Sequence, residues 1–104
     1  LYTYIGHVLF SQRKYTEALE QYDRALGVLR RSLGDVNPLT AEAHHLISIV
    51  HFNQRNYHRA LEHLQEAHRV RKTFFNVAHP QIKMDLDTLR QLELLSVVSS
   101  ATSQ

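Results

Sequence analysis

An all-α, right-handed solenoid of helical hairpins, about two and a half repeats in five helices, is the fold class this 104-residue sequence predicts. Three observations predict it. The phrase "SQRKY" at Ser11 to Tyr15 returns as "NQRNY" at Asn53 to Tyr57, and a gapless shift of 42 residues carries its surroundings along: Ile5/Ile47, Val8/Val50, Phe10/Phe52, Ala18/Ala60, Leu19/Leu61, Ala25/Ala67, Val28/Val70 and Pro38/Pro80 all match. Apolar residues recur every three or four positions, the spacing that lines one face of a helix. Three Gly and two Pro are too few for the many turns of a β-sandwich or barrel.

Taken in order, the first helix is predicted over about 1–12. Tyr2, Tyr4, Ile5, Val8, Leu9 and Phe10 are more apolar groups than one partner helix can cover. The polar phrase after it is the tight bend of a hairpin. The second helix, 15–33, lines one face with Tyr15, Ala18, Leu19, Tyr22, Ala25, Leu26, Leu29 and Leu33. "LGDVNP" links it to a third helix, 38–54, opened by Asn37 as a cap for free amides and by Pro38, which forfeits no hydrogen bond at the first helical position. A fourth helix, 57–75, repeats the second, and its Phe74 and Phe75 fall where core contacts are expected. After "FNVAHP" the fifth helix is predicted over 80–98, with His79-Pro80 as its opening and the polar "SSATSQ", residues 99–104, as a flexible tail. One domain, 1–98, thus comprises units of about 1–37, 38–79 and 80–98. In the fifth helix Leu89, Leu92, Leu94, Leu95, Val97 and Val98 nearly encircle the axis, which marks it as a cap or a docking segment. Leu1-Tyr2 already lies within a helix, so the sequence reads as a piece of a longer protein whose exposed first helix pairs with further sequence or with a second copy.

Composition narrows function by exclusion. With no Cys there is no disulfide framework, and the chain reads as cytoplasmic. No apolar run approaches the ~20 residues of a membrane span, so no membrane association is expected. The formal charge is +2, with an excess of basic residues in the middle segment, which also holds His44, His45, His51, His58, His63 and His68. Arg69, Arg71 and Lys72 are candidates for electrostatic steering of an acidic partner. The pairs His58/Glu62 and His63/Glu66 have a spacing compatible with metal, but no third ligand completes a site, so no metal and no cofactor is expected. His44 and His51 instead read as residues partly buried in the hairpin. There is no Gly-rich phosphate loop or nucleophile elbow, and Asp85 and Asp87 are accounted for by the favourable dipole at a helix start, so no catalytic residues and no enzyme are expected. The basic "HRVRK" beside Phe74 and Phe75 is a weak signal for RNA in a chain of so small a net charge, which disfavours nucleic acid as a partner.

The spacing Tyr2, Ile5, Gly6, Leu9, then Ala18, Tyr22 and Ala25, resembles the tetratricopeptide repeat pattern, and His44, Ile47, Ser48, His51, Ala60, Leu64 and Ala67 resemble it a second time. The 42-residue period and the "LGDVNP" link are similar to the longer repeats of kinesin light chains and nephrocystin-3. The resemblance implies a protein-interaction adaptor or scaffold, in which the first helices of successive hairpins line a groove for a peptide or an amphipathic helix. On that pattern the groove positions are Thr3, Tyr4, His7 and Ser11, then His45, Leu46, Ile49 and Asn53, then Asp87, Thr88 and Gln91. The paired Asn of kinesin light chains are replaced by Thr3-Tyr4, His45-Leu46 and Asp87-Thr88, leaving a floor suited to apolar anchors. Self-association as a structural module is the alternative function.

Overall fold

In the computed structural model, which describes residues 1–74 and 79–102, the chain runs through α1 (Tyr2–Ser11), α2 (Tyr15–Leu33), α3 (Pro38–Asn53), α4 (Tyr57–Phe74) and α5 (Pro80–Thr102). No strand occurs among the described residues. Each helix packs on its neighbours in sequence, so α2 lies between α1 and α3, and α4 between α3 and α5. This is the all-α hairpin array expected from the repeat.

The repeated phrase closes both hairpins by the same geometry. Arg13 and Arg55 adopt positive φ, 61° and 62°, just beyond the ends of α1 and α3. In the first hairpin Arg13 N–H donates to Phe10 O and Lys14 N–H to Leu9 O; in the second Arg55 N–H donates to Phe52 O and Asn56 N–H to His51 O, all at 2.9–3.0 Å. These reversed bonds satisfy the carbonyls left free at a helix end and turn the chain back.

The helix starts also follow local chemistry. Asn37 Oδ1 accepts from Leu39 N–H at 2.9 Å, with Pro38 beginning α3. At α5 the imidazole of His79 takes over that role, Nδ1 accepting from Gln81 N–H at 3.1 Å. The fifth helix extends to Thr102 rather than ending at 98. Ser99 to Thr102 include neither Gly nor Pro, and adding residues to an existing helix costs little. Ser103 and Gln104 lie outside the described residues, as do Phe75 to Ala78 of the second link.

Small residues let the helices approach. Ala18, Ala41, Ala60 and Ala67 are fully buried. Gly6 is indispensable in its place, since a Cβ there would come within 2.5 Å of the Tyr22 ring. In the second unit Ser48 and the smaller Leu64 occupy the equivalent pair of positions. One core joins Tyr22, Leu26, Ala43, Ile47 and Val50, and another joins Ala60 and Leu64 to Leu89 and Leu92. Phe74, expected in the core, is instead exposed, at the last turn of α4. No helix among the described residues is long and apolar enough to cross a membrane.

Candidate functional site

The first helices α3 and α5 flank a groove of about 330 Å³ above α4. The repeat places one stripe of each helix there, at steps of three and four residues. From α3 come His45, Ser48, Ile49 and Phe52; from α5 come Gln81, Met84, Asp85, Thr88, Gln91 and Leu92; Leu64 of α4 contributes to the floor. Leu64 and Leu92 are buried, whereas Ile49, Phe52 and Met84 are exposed, Met84 to 60%. The volume falls within the range of sites that receive a few side chains of a ligand.

Of the residues expected in the groove, His45, Ile49, Thr88 and Gln91 line it. Leu46 packs half-buried against the first core, and the Asn53 amide donates to Ile49 O at the end of its own helix. Asp87 is exposed outside the groove. Thr3, Tyr4, His7 and Ser11 of α1 do not line it either: His7 Nδ1 lies 2.7 Å from the Tyr22 hydroxyl, Ser11 donates to Val8 O, Thr3 is half-buried and Tyr4 is exposed. Phe52 and Met84 were missed. The groove stripe of α3 runs 45, 48, 49, 52 and shares only 45 and 49 with the stripe 45, 46, 49, 53 inferred by family pattern; the signal for Phe52 was its match to Phe10.

One end of the groove rests on a buried polar cluster. Arg71, 8% exposed, donates to Asp85 Oδ1 at 2.9 Å, and Asp85 is 1% exposed. Gln81 Nε2 donates to the same oxygen at 3.1 Å, His68 Nδ1 lies 3.5 Å from Asp85 Oδ2, and Arg71 also reaches His45 Nδ1 at 3.3 Å. Arg71 is therefore not a steering charge on the surface: burial forces it to neutralise Asp85. Asp85, likewise, sits in the second turn of α5 as the partner of that cation rather than as a dipole-favoured surface acid. Burial, then the nearby Arg71, holds the His45 imidazole below its ordinary pKa, keeping it neutral near pH 7. Arg69, also exposed, is tied to Glu66 on its own helix, leaving Lys72 as the member of the steering trio that makes no ion pair among the described residues.

A second histidine cluster lies between the hairpins, where α2, α3 and α4 meet. Arg30 donates to His44 Nε2 at 3.3 Å, so His44 carries its proton on Nδ1, which lies 3.2 Å from His63 Nδ1. His51 stacks on His63 with the ring planes 17° apart. Burial, then His63 and Arg30, lowers the His44 pKa to about 4; burial lowers those of His51 and His63 as well. These imidazoles are held neutral inside the molecule. Among the described residues no group of three or more His, Cys, Asp or Glu is arranged to hold a metal ion. His58 Nε2 lies 3.2 Å from Glu62 Oε1 on the surface of α4.

No curated protein matches the chain in sequence. The family model described as tetratricopeptide repeat matches residues 1–73. That segment spans both hairpins, their matched turns and the small-residue contacts between helices, and the chain belongs to the tetratricopeptide repeat family.

Proposed function

We propose that this chain is a protein-interaction module, an adaptor of the kinesin-light-chain-like kind, that takes the apolar side chains of a partner peptide or amphipathic helix into the groove between α3 and α5. Tetratricopeptide repeats are in general protein-interaction modules, and the chain acts by binding rather than by catalysis. The observation that carries the reading is the set of Ile49, Phe52 and Met84, exposed together over the buried floor of Leu64 and Leu92. Exposed apolar groups gathered in a concavity mark a binding surface more strongly than the same groups scattered singly.

Charge refines the partner. Asp85 and Arg71 cancel, His45 is neutral near pH 7, and the remaining lining groups carry no charge. Apolar anchors flanked by hydrogen-bonding groups suit such a groove, with Gln81, Thr88 and Gln91 to receive them. Acidity in the partner adds little, since of the basic trio Lys72 alone makes no ion pair among the described residues.

Helical and extended peptides selected from a displayed library against the intact chain supply the probe. Ile49→Asp together with Met84→Asp should weaken the selected peptides about a hundredfold or more, as expected when a binding hot spot is replaced by charge. Both side chains are exposed, so far-UV circular dichroism should stay helical. Undiminished binding by the folded double variant would show that the ligand sits elsewhere.

A further inference from the structure

The face of α5 opposite the groove, beside its contact with α4, carries a pattern that neither packing nor the groove uses. Leu86, Arg90, Glu93 and Val97 follow one another at steps of four, three and four, within an arc of about 60° on a helix of 100° per residue. All four are exposed, Leu86 to 39% and Val97 to 68%. Neither Arg90 nor Glu93 makes an ion pair among the described residues. In the two preceding units the position of Arg90 belongs to Gly6 and Ser48, both buried. Gly6 lies directly beneath the Tyr22 ring of its partner helix. An arginine there refuses so close an approach.

The order of these residues is self-complementary. In an antiparallel pair of identical helices, residues equidistant from the crossing point face each other, and the two-fold axis repeats every contact. With the crossing between Gln91 and Leu92, Arg90 faces Glu93 of the other copy, and Leu86 faces Val97. One operation thereby pairs both charges and both apolar groups, twice over. The leucine–valine contacts lie outside the ion pairs and shelter them from water, which strengthens them relative to exposed pairs.

We propose that α5 is a homodimerisation surface on which a second copy of this chain packs antiparallel, with Arg90–Glu93 pairs fixing the register. This goes beyond the peptide groove, which opens on a different face of the same helix. By contrast α1, whose Tyr4 and Val8 are also exposed, presents no charged residue that would set a register.

Sedimentation equilibrium of the intact chain up to about 1 mM, the weak end of specific association, reads the dimer directly. Arg90→Glu alone sets Glu against Glu, and Glu93→Arg alone sets Arg against Arg; each should raise the dimer Kd roughly tenfold or more. Mixing the two single variants makes every contact complementary again, so a heterodimer should form where neither variant pairs with itself. Tyr4→Lys should leave the association unchanged. Circular dichroism of these surface variants confirms the fold. A chain that stays monomeric at the highest concentration, single variants that dimerise as tightly as the parent, or a dimer abolished by Tyr4→Lys would each overturn the proposal.

Discussion

His44 shows how one residue couples burial to solution conditions. Its pKa is lowered from 6.5 to about 4, chiefly by burial, and then by the proximity of His63 and Arg30. The unfolded chain therefore binds a proton between those two values that the folded chain refuses. Stability is unaffected by this group above pH 6.5, falls as pH drops through the interval, and is lower by about 3 kcal/mol once pH is below 4. His51 and His63 act in the same direction. Urea denaturation between pH 7.5 and 4.5 measures the slope, and His44→Tyr, an aromatic of the kind the repeat pattern places there, should make it shallower. Parallel losses in parent and variant would remove His44 from the account. The sequence made the burial of His44 and His51 legible because they occupy aromatic positions of the repeat. It did not reveal the pairing of Arg71 with Asp85, fourteen residues apart across a link, because such a pair leaves no periodic trace.

At the scale of elements, the turns are the informative parts. Arg13 and Arg55 hold positive φ, a conformation in which a side chain costs of the order of 1 kcal/mol and glycine nothing comparable. Arg13→Gly and Arg55→Gly should each raise stability by about 0.5–1 kcal/mol, measured as a higher denaturation midpoint with an unchanged m-value. A fall in midpoint would mean that the arginine side chains contribute contacts worth more than the strain. The bends themselves were readable from "SQRK" and "NQRN", since polar runs interrupt the three-and-four spacing there. The end of α5 was not, because Ser and Thr neither stop a helix nor drive one, a single Ala among them does not decide it, and what precedes them does.

The whole molecule is a slab, 43 × 35 × 20 Å, with a radius of gyration of 14.0 Å against about 13 Å for a compact chain of this length. Such an array is held by contacts between consecutive helices, so stability is graded from the middle outward. Amide hydrogen exchange should be slowest in α2, α3 and α4, which have helices on both sides, and fastest in α1, where Tyr4 and Val8 face solvent. Uniform protection would point to a single cooperative block. The same gradedness limited sequence reading of the site: the family pattern named α1, α3 and α5 as groove helices, of which α1 does not line it, and the rotation of α3 that admits Phe52 rather than Leu46 and Asn53 depends on how α5 settles on α4. The two matched turns have a further consequence. Their bond pattern is the same and their φ angles differ by a single degree, so the joints are interchangeable, and residues 14–55, which run from one turn to the other, form a cassette that splices onto itself at that joint. Each inserted cassette would lengthen the array by about one helix diameter, ~10–12 Å, making the molecule a ruler graduated in steps of roughly three extended peptide residues.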